Sequence, residues 1–424
     1  MKRWAIIERP FGTRGRKAWF GFRTSAFFRI SGLGTRVLGR SGHLALAFLT
    51  LLAALGRVGA SGAEVPDWTQ IEKNGLYPVI TAPFALYHDE SNEVIQALAI
   101  NGVYQGQYWS VNAKQGDASG WENRRIYIGG SAEFLHQLDV QVMVKLGETF
   151  DPVYDGLHTA FLKWTPDQAV SLSLGRLDYF SFAGPEQGAS STRISSFEHG
   201  LLVNQLAPTE IVGALLQGRQ GPFSGNVGLV SGSTTENFTD FAGGVGVLAG
   251  VSYALPLFYD SGSLNLDYVF NNGNASNNAL KPYDQVLSLW HQGRVGPLRA
   301  GVQLIGAHGL GTRPAVFGVT AQAAWLCAKD VFRKGDAFQA VLRYQYAVSD
   351  GDNGLNLQQR YEQEVVPGGV GDAYNAVYVG LNYLIHGNQL KLMNGVEYSV
   401  MQNSALGHDS FNGWTFITGV RLYF

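Results

Sequence analysis

A chain of 424 residues with 46% hydrophobic side chains is long enough for several domains or for one large sheet. Mean hydropathy is only −0.02, and no run of eighteen apolar residues follows the N-terminal region, which excludes a bundle of membrane-crossing helices. Charged residues at 15%, 54 Gly, 19 Tyr and 24 Phe suit long strands with one apolar face, and the single Cys327 excludes an intrachain disulfide or a cysteine-built metal site.

The N-terminus differs from the rest. Residues 1–42 carry ten Lys or Arg and one acid, Glu8, and an apolar run from Leu44 to Leu55 leads into the small residues Ser61, Gly62 and Ala63. A basic stretch, a short apolar run and a small-residue cleavage site describe a secretory signal peptide over 1–63, cut after Ala63 or alternatively Ala60. The run is too short for a membrane anchor. Without this leader the chain has 20 basic and 32 acidic side chains, a net charge of about −12, which gives no support to nucleic-acid binding. Residues 64–94 are expected to form an N-terminal periplasmic segment.

From residue 95 onward, stretches of about ten residues alternate in polarity and end in Gly, Asn, Asp or Pro clusters. In Gln137–Leu146, Leu138, Val140, Val142, Val144 and Leu146 share one face, opposite Gln137, Asp139, Gln141 and Lys145. Leu264–Phe270, Leu298–Leu304 and Phe338–Ser349 repeat the pattern. A period of two is a strand signal, and about sixteen such segments fit between 95 and 424. The polar faces hold Lys145, Asp139, Asp267, Arg343, Lys391 and Glu397, too many charges for a packed core. Strands of this length, tilted, match a bilayer, and in lipid a sheet has to close. The expectation is all-β: a transmembrane antiparallel β-barrel of about sixteen strands in an outer membrane, with a wide, watery lumen.

The last strand supports this. Trp414, Phe416, Thr418, Val420, Leu422 and Phe424 share a face, and the chain ends on that Phe. This is similar to the terminal strand of outer-membrane proteins, and makes Phe424 the candidate signal for the barrel assembly machinery.

Further segments resemble one family. Trp121–Phe134 with its Arg124–Arg125 pair, Ala160–Trp164, Leu172–Arg176 and Gly371–Tyr383 are similar to strands of the phosphate-selective porins O and P, with Tyr383 where that family has Trp more often. The resemblance implies a trimeric porin of sixteen strands per subunit, a loop folded inward to narrow the lumen, and passive passage of small hydrophilic solutes, anions such as phosphate among them. No cofactor and no enzymatic activity are expected. Outer-membrane lipid, the assembly machinery, the solutes and two further copies of the chain are the expected partners.

Phe180–Gln205 is longer than a hairpin loop and rich in Gly, Pro and Ser. It either enters the lumen as a constriction presenting Arg193, Glu198 and His199, or lies over the mouth. Arg125, Lys145, Arg299, Arg343 and Lys391, on polar faces of expected strands, form either a basic track for anions or a solvated wall balanced by Glu133, Asp139, Asp267 and Glu397. Arg124 and Arg125 as strand neighbours face opposite ways, which places Arg124 at the interface with lipid headgroups. Tyr104, Tyr108, Trp109, Trp290, Tyr378 and Trp414 suit aromatic girdles. Competing readings are a carbohydrate-selective channel using Tyr179, Phe180, Phe182 and Phe197, an outer-membrane hydrolase, and a structural barrel. The histidines come without a Gly-x-Ser-x-Gly or His-Glu-x-x-His motif, so no catalytic residues and no metal ligands are assigned.

Overall fold

The computed structural model describes residues 84–177, 194–207, 210–239, 243–256, 259–272, 276–279, 283–357 and 360–424. The expected leader and Arg193 lie outside them. In chain order the elements are β1 (Ala85–His88), β2 (Ile95–Ala113), β3 (Gly116–Phe134), β4 (Leu138–Leu146), β5 (Tyr154–Asp167) and β6 (Val170–Leu177). Then come α1 (Leu201–Leu206), β7 (Ile211–Gln220), β8 (Phe223–Ser231), β9 (Val245–Ala254), β10 (Ser261–Asn271), β11 (Tyr283–Val295) and β12 (Leu298–Gly309). The rest are β13 (Val316–Lys329), β14 (Ala337–Ser349), β15 (Leu355–Asn356), α2 (Glu362–Val365), β16 (Val370–Gly371), β17 (Ala373–His386), β18 (Leu390–Asn403) and β19 (His408–Tyr423).

Sixteen strands, β2–β14 and β17–β19, form one closed antiparallel barrel. Each pairs with its neighbour in sequence, β14 pairs with β17, and β19 returns to β2 with Gly413 opposite Ala113 and Tyr423 opposite Val103. Closure leaves no strand edge, the condition a sheet must meet in hydrocarbon. β1 lies against the start of β2, Ala85 opposite Ala99, below the stretch that β19 occupies.

The two faces separate as the period of two requires. On β17, Tyr374, Ala376, Tyr378 and Asn382 are buried, whereas Val377, Val379 and Leu381 are exposed. The exposed set continues around the barrel with Leu266, Leu304, Trp325, Leu392 and Phe416, an apolar belt for lipid. Asn265, Asp267, Gln303, Gln345, Lys391 and Glu397 lie on the inner face. Trp414 and Tyr108 face out, as girdle residues should. Trp109, Trp290 and Tyr378 do not. Trp109 stacks on Tyr361 inside, Trp290 Nε1 donates to Asp267, and Tyr378 lies beneath Arg343. Their parity along the strand, not their nearness to a strand end, sets the side they take.

The interior is not the open, watery lumen expected from the polar faces. Residues 194–207 with α1, and residues 350–357 and 360–371 with β15, α2 and β16, contribute to a packed cluster with the inner wall. That cluster includes Leu201, Leu206, Leu355, Leu357, Val286, Ile305 and Ala347. Leu202 of α1 approaches the wall at Gly318, where a Cβ would stand 2.5 Å from its Cδ1. Residues between strands thus supply an apolar filling that strand periodicity does not reveal.

Candidate functional site: the charged inner wall and the segments packed on it

Irregular backbone inside a barrel needs partners for its N–H and C=O groups. The inner wall provides them from three strands. Lys391 Nζ on β18 donates to the Ile194 carbonyl (2.7 Å), and Asn382 Nδ2 on β17 to that of Ser195 (2.7 Å). On β14, Arg343 Nη1 donates to Ser196 Oγ (2.9 Å) and to the Glu198 carbonyl, and Gln345 Oε1 accepts from the Leu201 N–H (2.8 Å). Gln205 ties α1 to the other segment: its Nε2 donates to the Gly354 carbonyl (2.8 Å) and its Oε1 accepts from the Asn356 N–H (3.0 Å).

The charges on this wall fall into rows set by the strand register. Lys391 on β18 stands opposite Arg421 on β19, Arg421 opposite Gln105 on β2, and Gln105 opposite Arg125 on β3. Three cations therefore share one row across four strands. Like charges directly opposed are unfavourable in a sheet, and the Glu198 carboxylate beside Arg125 and Arg421 offsets part of that repulsion. Arg125 Nη1 donates to Gln105 Oε1 at 2.8 Å. Arg421 is buried over the Phe197 ring, 5.2 Å from its centroid, and none of its three nitrogens has a hydrogen-bond acceptor among the described residues. A neighbouring row runs Arg343, Tyr378, Glu397 and Thr415. Here Arg343 Nη2 and Glu397 Oε2 form a buried ion pair at 2.8 Å.

Arg124 corrects the expectation drawn from strand alternation. It forms an ion pair with Glu198, Nε to Oε1 3.3 Å, on the inner side. The register explains how: Gln105 pairs with Arg125, but the next residue, Gly106, pairs with Asn123, leaving Arg124 as the extra residue of a β-bulge. A bulge resets the alternation, so both arginines can point the same way. Glu198 pays for none of this in charge. Burial alone would raise its pKa, but Arg124 above all, then Arg125 and Arg421, hold the carboxyl at about 2.

The residues singled out from the sequence divide into two groups. Arg343, Lys391 and Glu198 meet around the 194–200 segment, with His199 half-buried next to Glu198. Arg125 joins them through the basic row. Lys145 lies elsewhere and is neutralised by Glu210 at 2.9 Å, which also contacts His158 Nδ1 at 3.0 Å. Arg299 lies opposite Arg294 and Ala324 toward the other end of β12. Sequence reasoning missed Arg421, Arg124, Tyr361 and Glu362. Arg421 was legible, because it sits on the face of the last strand opposite Trp414, Phe416 and Leu422. Glu362 and Tyr361 lie in a connection with no period, and only the fold brings them to the wall.

The architecture is that of the outer-membrane β-barrels with sixteen strands. No protein-family profile and no curated protein sequence matches the chain. Among solved structures it is similar to an anion-selective porin from Comamonas acidovorans, at 12% identity over 77% of this chain and 99% of that one, TM-score 0.53. It is also similar to the outer membrane channel DcaP of Acinetobacter baumannii, at 12% identity over 80% of this chain and 100% of that one, TM-score 0.52. At such identities the likeness establishes the fold.

Proposed function

We propose that this protein is a porin, a passive outer-membrane pore for small hydrophilic solutes that favours small anions, phosphate among them. The observation that carries the reading is the row Lys391–Arg421–Gln105–Arg125, in which Arg421 is buried with no hydrogen-bond acceptor among the described residues. A cation held in a low-dielectric wall lowers the entry cost of an anion far more than a solvated surface charge does. The overall charge of about −12 does not oppose this, since the field in a pore is set by the groups that line it. The likeness of Trp121–Phe134 and Gly371–Tyr383 to phosphate-selective porins, and the anion-selective neighbour, point the same way. The 180–205 segment, with Arg193, Glu198 and His199, is the constriction in this reading. Phe424 is the assembly signal, residues 1–63 are the leader, and the working form is a homotrimer.

The test is the zero-current potential of purified protein in a planar bilayer across a KCl gradient, repeated with potassium phosphate. Anion preference is expected, and Arg421→Ala combined with Arg125→Ala should move the potential toward the cation side. A cation-selective wild type, or a potential untouched by the two substitutions, would refute the anion reading.

A further inference from the structure

Two segments enter the barrel, and they meet around a cavity of about 20 Å3, room for roughly one water. Phe197 and Glu198 from the first segment, Tyr361 and Glu362 from the second, and Arg343, Glu397 and Thr415 from the wall line it. Glu362 is fully buried in α2. Its Oε1 accepts from Ser399 Oγ at 2.6 Å and, more weakly, from Thr415 Oγ1 at 3.5 Å, and its Oε2 has no partner among the described residues. The cation nearest at hand, Arg343, is already committed to Glu397, two residues from Ser399 on the same face of β18.

We propose that Glu362 is a proton-operated latch: uncharged, it holds residues 360–371 inside the barrel, and its ionisation releases α2 and widens the pore. This rests on the porin reading above. The groups facing Glu362 favour such a role. From β18 it meets Glu397, from β14 Arg343, from β17 Tyr374 and Tyr378. From β19 come Thr415 and, beyond Phe197, Arg421; from the first segment comes Glu198. β3 presents Glu122 and Arg124, which engage Tyr361 and Glu198, and β2 presents only uncharged Gln107 and Trp109. Within its own segment, Arg360 is bound to Glu122 at 2.9 Å and to Glu148 at 2.9 Å. Among the described residues, Arg343 is the cation that acts on Glu362, and it is already paired with Glu397. Burial first, and Glu397 second, raise the Glu362 carboxyl to about 8. Glu198, at about 2, stays ionised throughout, so it contributes no transition in the same range.

The restraints on α2 match a latch more than a permanent plug. The helix is four residues long, with no side-chain cap, and apart from Glu362 its residues are only partly buried or exposed. Arg360 and Tyr361 fasten the residues before it to β3, so release at Glu362 swings the short helix without freeing the whole connection.

The experiment is single-channel conductance of the full-length protein in planar bilayers at constant salt, from pH 6 to pH 9.5. Wild type is expected to gain at least about twofold in conductance through a transition near pH 8. Glu362→Gln should stay at the low-pH conductance throughout. Should that variant fail to insert, Glu397→Gln provides a second reading, because removal of the neighbouring charge should shift the transition about one pH unit lower. A flat wild-type profile, a Glu362→Gln channel with the same transition, or a Glu397→Gln midpoint that does not move would each overturn the latch. A protein silent at every pH would instead overturn the pore.

Discussion

Arg343→Met tests whether the wall holds the first segment by charge. Arg343 is 1% exposed and donates three hydrogen bonds, to Glu397 at 2.8 Å, to Ser196 Oγ at 2.9 Å, and to the Glu198 carbonyl. The substitution keeps the volume but removes the cation. Glu397 then keeps Gln345 Nε2 at 3.1 Å and a long contact with the Tyr374 hydroxyl at 3.5 Å, in a site that already holds Glu362. Breaking a buried pair by deleting one partner costs about 3–5 kcal/mol, mostly the isolated charge left behind. That corresponds to about two to four orders of magnitude in the folding equilibrium. Replacing both partners, Arg343→Met with Glu397→Gln, leaves no bare charge and should recover most of the loss. Urea unfolding in lipid vesicles, followed by tryptophan fluorescence, measures both variants. The 194–200 segment also loses two of its anchors, so the single variant should show raised channel conductance. A single variant costing under about 1 kcal/mol, or a double variant no better than the single, would refute a buried, energetically coupled pair.

Glu362 also predicts a stability profile. Its folded pKa of about 8 lies above the ordinary 4.5, so the fold favours the protonated form and its contribution is lost as pH rises from about 4.5 to 8. The thermal midpoint of wild type should fall across that window and that of Glu362→Gln should fall less; parallel profiles would contradict the assignment. Gly318→Ala sets a Cβ 2.5 Å from Leu202 Cδ1 and 2.6 Å from the Tyr346 carbonyl, an overpacking expected to cost about 1–3 kcal/mol in the same urea assay. Arg124→Ala should release Glu198 and raise channel conductance more than Lys145→Ala, whose partner Glu210 lies outside the 194–207 segment; equal effects would argue against the bulge bringing Arg124 to that segment. Removal of Phe424, whose ring stacks on Phe84 at 4.0 Å and covers Gly102, should reduce the amount of folded barrel recovered from outer membranes.

The amino-acid sequence by itself determined the barrel. Alternation in segments such as Leu138–Leu146 and Phe338–Ser349 assigns each side chain to one of two faces, and a face of Val, Leu and aromatics opposite one of Lys, Arg, Asp and Glu requires different surroundings on each side. Those patterns are local, because a strand residue's face depends only on parity. Parity also explains the misreadings: it was broken by one inserted residue at Arg124, and it was not applied to Trp109, Trp290 and Tyr378. Tertiary structure alone decided what occupies the interior. Which strand faces which is set by the register of pairs far apart in the chain, so the row of Lys391, Arg421 and Arg125 exists only once β19 has met β2. Residues 194–207, 350–357 and 360–371 have no period to read. Their places follow from wall side chains that satisfy irregular backbone and from apolar residues that find cover, and both are properties of the closed barrel.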